Sequence, residues 1–309
     1  MTTIHSNDRL DLINEMVTIA KQNGLQLKEK HIEINESGMD FFVAFAEDEA
    51  GTKWVLRKPR RSDVVDRASY EHKVLSLIRG QLMTQVPEWH IFTPKLIAYP
   101  LLSGQPVAII DPAGGGYLWQ YEQQSLSDSF FDSFAEALAS LHNINHEAAA
   151  QAGVRIKSPA EAREAFLTNI EEIKRSFTIP DKLQKRWSAW LADDTYWPQH
   201  SVLIHGDMHP PHILVDEHQR VTGFLDWTEA EVADPGKDFV IYFALFGEEG
   251  LRSLLERYER AGGKVWPRMH EHITEQWAAY PAIVAQFALI TGKESDMDMA
   301  RGMIEHWNT

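Results

Sequence analysis

Residues 202–227 read "VLIHGDMHPPHILVDEHQRVTGFLDW". Three histidines surround Asp207 in a loop with two consecutive prolines, and apolar runs flank that loop on both sides. "VLI" and "ILV" are short runs of the kind that form buried strands, and "DEHQ" at 216–219 supplies a turn between "ILV" and "RVTGFLDW". A hairpin returns the far end of its second arm beside the start of its first, so Asp226 comes back to His212. Asp207 lies five residues ahead of His212 and faces the other side of the loop. Phosphoryl transfer from a nucleotide has this order of parts: a carboxylate for the acceptor hydroxyl, a metal ligand five residues on, then a metal aspartate across a hairpin. The residues also admit a metallohydrolase, in which His205, Asp207, His209 and His212 ligate zinc or a metal pair, because imidazole suits zinc better than magnesium. Pro210-Pro211 counts against it by stiffening the span between His209 and His212.

Outward from this segment the chain divides in two. Toward the N-terminus, Leu10, Ile13, Val17 and Ala20 recur at helical spacing. Alternating stretches follow, "HIEIN", "FFVAFA" and "KWVLRK", separated by the turns "NESG" and "DEAG". Val74, Leu75, Ile78 and Leu82 predict a helix over 64–80, with two further strands in "EWHIF" and "KLIAYPLL". After Leu102, "DPAGGGY" at 111–117 reads as a flexible loop, and helical periodicity dominates from Ser127 except in 201–226. The expectation is an α+β, bilobal, protein-kinase-like fold. It has a small mainly β N-terminal lobe over 1–102, which includes a hinge, and a large mainly helical C-terminal lobe over 103–309.

Composition narrows the function. The 309 residues carry 44% hydrophobic and 24% charged side chains, enough for two cores, and a net charge of −15 that argues against a nucleic-acid partner. The charge is uneven: net −1 up to Leu102 and net −14 beyond it, a field that favours a cationic ligand in the C-terminal half. No cysteine is present, which removes disulfides, thiolate metal sites and cysteine nucleophiles. No apolar run is long enough to span a membrane, and "MTTIHSNDRLDL" is no secretory signal, so we expect a cytoplasmic protein without a membrane partner, acting as a monomer.

The sequence resembles the aminoglycoside- and macrolide-phosphotransferase branch of the kinase-like fold. "HGDMHPPHILV" matches its HGDxxxxN loop except at the last position, and "FLDWTEAEVADPGKDF" matches its hydrophobic-Asp segment with a following Asp-Pro and a later Asp. Histidine in place of asparagine, the Asp-Trp pair, "FGEEGL" at 246–251, "NESGMDFFVAFA" and "WVLRKPRR" resemble the macrolide 2′-phosphotransferases within it. The resemblance implies transfer of the γ-phosphate of GTP, or of ATP, to the 2′-hydroxyl of a macrolide amino sugar. An aminoglycoside or other hydroxyl-bearing small molecule is the alternative acceptor, and a non-catalytic ligand-binding relative the alternative role. By the same resemblance Asp207 is the catalytic aspartate, and His212 and Asp226 hold Mg²⁺. His205 shapes the loop, His209 is incidental, and Asp234 and Asp238 brace the loop. Arg57 stands where the strand lysine is usual, with Glu71 as its partner. Ser37 and Gly38 would cradle phosphate, and backbone groups of Ala98, Tyr99, Pro100, Leu101 and Leu102 would grip the base. Trp227 is expected in the core, as are Trp277, Tyr280 and Phe287, while "HEH" at 270–272 is expected on the surface.

Overall fold

A computed structural model describes residues 6–28, 32–35, 40–113 and 116–308. The N-terminal part contains α1 (Ser6–Gln22), β1 (Glu33–Asn35), β2 (Phe41–Glu47), β3 (Lys53–Pro59), α2 (Asp63–Ile78), β4 (Ile91–Phe92) and β5 (Ile97–Pro100). Its strands make one antiparallel sheet in the order β1-β2-β3-β5-β4. Alternation along β2 buries Ala44 and Ala46 against α1, together with Leu56 and Ala98. The helix docks through Leu12, Met16 and Ala20, four residues apart. Of the expected stripe, Ile13, Val17 and Ala20 pack in this core, and only Leu10 departs, being exposed. On the opposite sheet face Phe41, Val55, Ile97 and Tyr99 pack with Val64 and Ala68 of α2 and reach Leu214 of the second lobe.

The larger part begins with β6 (Gln105–Pro106), β7 (Ala108–Ile110) and β8 (Tyr117–Trp119). Helices α3 (Asp128–His142), α4 (His146–Gln151), α5 (Pro159–Ile173) and α6 (Asp181–Ala192) follow. Four short strands come next: β9 (Val202–Ile204), β10 (Ile213–Val215), β11 (Val221–Phe224) and β12 (Glu231–Ala233). Helices α7 (Val240–Arg260), α8 (Met269–Ala278), α9 (Tyr280–Thr291) and α10 (Glu294–Glu305) complete it. β6, β10 and β11 form one sheet, and β9 pairs with β12. The molecule is thus α+β, with a β-rich first part and a helical second part. "DPAGGGY" is not simply a loop. Ala108–Ile110 pairs with Tyr117–Trp119, so Tyr117 at its end belongs to a strand of an antiparallel pair. Alternation of apolar and aromatic residues on both sides of an Asp-Pro turn was the signal for this.

Two helical cores sit under these strands. Phe134 and Leu138 of α3, Tyr258 of α7, Phe224 and Trp227 make the first. Ile173, Trp187, Trp190, Ala282, Ala285 and Ala300 make the second. Trp227 is fully buried, as expected. In "HEH", His270 lies on the outer face, but His272 is fully buried, donating from Nε2 to Asp234 Oδ2 at 2.6 Å. Two-residue spacing puts the histidines on different faces of α8, and one of those faces is the core. Phe287 also departs from expectation: it is exposed, and Trp277 and Tyr280 are only half-buried.

Candidate active site

The turn from β9 into β10 builds the site. Gly206 has φ +82°, and a Cβ there would lie 2.4 Å from the Glu229 carbonyl oxygen, so the chain turns sharply where only glycine fits. Asp238 fixes this turn from beneath. Its carboxylate accepts the amides of His205 (2.8 Å) and Gly206 (2.7 Å) and the Nε2–H of His142 (3.1 Å). Burial alone would raise the Asp238 pKa, but His142 and the backbone donors more than offset it and hold the group below its ordinary value. His205 is fully buried and ties the loop to the end of β11, donating from Nε2 to the Leu225 carbonyl at 2.9 Å. Among the described residues Asp234 makes no side-chain hydrogen bond to the loop. It accepts from the Gly236 amide, His272 and Gln276, and so anchors the segment after β12 to α8.

His212 ends a 3₁₀ turn that Pro210 and Pro211 initiate. Ile213 pairs with Phe224, and Leu225 donates to the His212 carbonyl at 2.9 Å, which brings Asp226 beside the imidazole. His212 Nε2 lies 3.8 Å from Asp226 Oδ2. Adjacent ligands about 2.1 Å from one ion stand ~3 Å apart, so the pair must close by a little under ~1 Å to share a divalent cation. The other ring nitrogen settles which atom is free. His212 Nδ1 donates to the Asp207 carbonyl at 3.0 Å, so Nε2 is the ring nitrogen that would meet a cation shared with Asp226. An imidazole can replace an amide oxygen because the backbone sets its tautomer. Asp226 adopts φ +59°, rare for a non-glycine residue, and is steadied by the Thr228 hydroxyl at 2.8 Å. Burial works against its charge, but His212 and Arg57 outweigh it and hold the carboxyl below its usual value.

Across the cleft, Arg57 on β3 and Glu71 on α2 are both buried and bonded at 3.0 and 3.1 Å. The guanidinium carbon lies 4.0 Å from the Phe41 ring centroid, a cation–π contact that orients the side chain. Burial opposes the Arg57 charge, yet Glu71, Tyr99 and Asp226 together raise its pKa, so it stays cationic beside Asp226. Helix α2 is also clamped from the other lobe. The Tyr70 hydroxyl donates to the Ala230 carbonyl at 2.6 Å, and Arg67 pairs with Glu229 at 3.2 Å.

The other expected nucleotide contacts divide three ways. Ser37 and Gly38 lie outside the described residues. The Ala98 carbonyl accepts from His90, the Leu101 amide donates to Lys53, and Pro100 has no amide hydrogen. Strand alternation turns the Pro100 carbonyl and the Leu102 amide to the opposite side, so they remain as the hinge groups a base could reach. Tyr99 pairs with Val55 in the sheet, and its side chain is buried beside Arg57, with its pKa pushed by burial to about 12.

On the acceptor side, position alone missed three residues. His209 is not incidental in place: its Nε2 lies 3.8 Å from Asp207 Oδ2 and its Nδ1 3.3 Å from the Tyr117 hydroxyl. Burial, then the neighbouring His212, lowers its pKa to about 4. Tyr117 and Tyr280 both have raised pKa values, chiefly from burial and with the Asp207 charge contributing. The residues Asp207, His209 and His212 each bring one ligand atom within 4.8 Å of the others, so the metal-cluster alternative has geometry behind it. The zinc alternative leaves the Arg57–Glu71 pair without a task.

A loop carboxylate, a His–Asp pair and a buried strand cation, set where the β-rich part meets the helical part, are the parts of a kinase-like phosphotransferase. The chain belongs to the APH phosphotransferase enzyme family, whose pattern matches residues 31–272. It is 48% identical over 289 residues, 94% of each chain, to the uncharacterized protein YcbJ of Bacillus subtilis (strain 168). Two solved structures superpose with TM-scores of 0.87. One is macrolide 2′-phosphotransferase type I, 38% identical over 98% of this chain and 99% of that one. The other is the apoenzyme of macrolide 2′-phosphotransferase MphH from Brachybacterium faecium, 37% identical over 94% and 98%.

Proposed function

We propose that this phosphotransferase moves the γ-phosphate of GTP, or of ATP, onto the 2′-hydroxyl of the amino sugar of a macrolide. One observation carries the reading: Asp207 stands beside the His212–Asp226 pair, facing Arg57–Glu71, in a chain similar over nearly its whole length to two macrolide 2′-phosphotransferases. Asp207 orients the acceptor hydroxyl and takes its proton as the phosphoryl group arrives. His212 Nε2 and Asp226 would hold Mg²⁺, which neutralises phosphate charge when bound. Arg57 supports the phosphates with a fixed charge, and the Pro100 carbonyl and Leu102 amide meet the base.

The acceptor side suits an apolar ring bearing a cationic amine. Tyr280, Ile283, Phe287 and Ile290 share one face of α9, and the last three are exposed. That apolar stripe leads away from Tyr280, which feels the Asp207 charge, and Ile109, Ile110 and Leu118 of the β7–β8 hairpin add exposed apolar surface. The acidic second lobe favours a protonated dimethylamino group. In this reading the enzyme works as a monomer in the cytoplasm. Among the described residues no helix is long and apolar enough to cross a membrane.

The test is nucleoside diphosphate release from GTP and ATP against a panel of macrolides and aminoglycosides, with the metal varied. Metal-dependent turnover with macrolides is expected, and Asp207→Ala should abolish it while leaving nucleotide affinity intact. Turnover restricted to aminoglycosides would overturn the substrate assignment. An Asp207→Ala rate within tenfold of the parent would overturn the role of Asp207.

A further inference from the structure

The phosphate-transfer parts list leaves His209 without a task, yet the fold sets it between two polar groups of the acceptor site. Nδ1 meets the Tyr117 hydroxyl at 3.3 Å, and Nε2 faces Asp207 Oδ2 at 3.8 Å. A neutral imidazole carries one N–H and one lone pair. Were the proton on Nδ1, the Nε2 lone pair would face a carboxylate oxygen, acceptor against acceptor. Only one arrangement is attractive at both ends: the Tyr117 O–H donates to Nδ1, and the Nε2–H points at Asp207 Oδ2. The ring is held in place by His212, whose centroid lies 4.2 Å away at 75°, and by Tyr117 at 6.0 Å.

We propose that His209, set in one tautomer by Tyr117, is a positioning residue for the catalytic carboxylate, engaging Oδ2 of Asp207 so that Oδ1 is turned to the acceptor hydroxyl. This rests on reading Asp207 as the acceptor-orienting group. The Asp207 side chain is about half exposed (46%), and its Oδ2 also lies 3.6 Å from His212 Nδ1, whose hydrogen is given to the Asp207 carbonyl, so His209 is the donor left to stop the carboxylate rotating. The 3.8 Å separation is longer than a hydrogen bond, as catalytic contacts commonly are before substrate closes the site, and a small rotation of either side chain completes it. Fixing one oxygen removes a rotational freedom that the transition state would otherwise have to freeze out. Tyr117 belongs to β8 and pairs with the exposed Ile110 on one face of the hairpin, so an acceptor seated against Ile110 presses on the face that sets the His209 tautomer. Acceptor binding and carboxylate orientation are thereby mechanically linked.

The experiment compares His209→Leu, His209→Gln, Tyr117→Phe and the His209→Leu/Tyr117→Phe double variant. Steady-state transfer from GTP to a macrolide with a dimethylamino sugar is measured alongside calorimetric binding of Mn²⁺–GDP. His209→Leu should lower kcat at least tenfold and leave the KM for nucleotide within twofold. His209→Gln, whose amide nitrogen reaches the place of Nε2, should recover most of that loss. Tyr117→Phe should lose less, and the double variant should be no slower than His209→Leu, because a single relay is being cut. A His209→Leu kcat within twofold of the parent, or losses that multiply in the double variant, overturns the proposal. So does weaker Mn²⁺–GDP binding with kcat restored at saturating metal, which makes His209 a metal ligand. If His209→Leu does not fold, the contrast between His209→Gln and Tyr117→Phe carries the test, and equal, unlinked losses count against it. Asp207→Ala, run in parallel, separates failure of this relay from failure of the reading of Asp207.

Discussion

At the scale of single residues, the informative positions are those where chemistry and backbone geometry restrict each other. His212 is the first. Its residue type raised a metal cluster as an alternative, and only the Nδ1–H bond to the Asp207 carbonyl shows that one nitrogen is occupied and the other aimed at Asp226. His212→Asn should therefore keep magnesium-dependent turnover within about tenfold, since an amide oxygen is a harder donor for that ion, while weakening the relative preference for Mn²⁺. Metal titrations of both proteins check this, and total loss of metal-dependent nucleotide binding in a folded variant would contradict it. Gly206 is the second. An alanine there meets both a left-handed φ and a carbonyl oxygen 2.4 Å from its Cβ, so Gly206→Ala should cost at least ~2 kcal/mol of stability in denaturant unfolding. Glycine in a His-Gly-Asp turn was visible in the sequence, but the clash partner, Glu229, lies 23 residues away and belongs to tertiary structure.

At the scale of elements, the turn that carries Asp207 depends on pieces remote in sequence. Asp238 follows β12, His142 ends α3, and Tyr258 on α7 lies 2.8 Å from His142 Nδ1, so two helices hold one loop. Replacing Asp238 by asparagine leaves one acceptor where two backbone amides and an imidazole now donate, facing an amide donor against a donor. The expected cost is about 2–4 kcal/mol, read by chemical unfolding, with a larger fall in kcat than in nucleotide affinity. A variant as stable as the parent would show that the brace is dispensable. The hairpin that brings Asp226 to His212 was legible, because turn residues and alternation fix it locally. The β7–β8 hairpin is obscured by three glycines, and the stripe of α1 is legible through Ile13, Val17 and Ala20 and departs only at Leu10, which is exposed. Periodicity names a stripe, and the partner surface selects its register.

At the scale of the whole molecule, burial of neutral histidines gives stability a pH dependence of its own. Burial lowers the pKa of His205 and, together with Lys264, of His200, below the ordinary 6.5. The unfolded chain then takes up protons first as pH falls, so stability should decline once pH drops below about 6.5. Asp238, held below its ordinary 3.8, contributes stability above that value and loses it only as pH falls through its folded pKa. Thermal melts from pH 8 to 3 should therefore show an early loss between about pH 6.5 and 5 and a second below 4. A flat melting temperature between pH 7 and 5 would refute the histidine part. The sequence alone determined the order of the chemical parts, the two-part α+β layout and the family, because these rest on local periodicity, turn chemistry and motif spacing. Tertiary structure decided which nitrogen of His212 is free, that His272 is core and His209 belongs to the site, and which hinge groups the sheet already uses. Each of these depends on a partner far away in the chain, and spacing along a sequence carries no record of what it will be packed against.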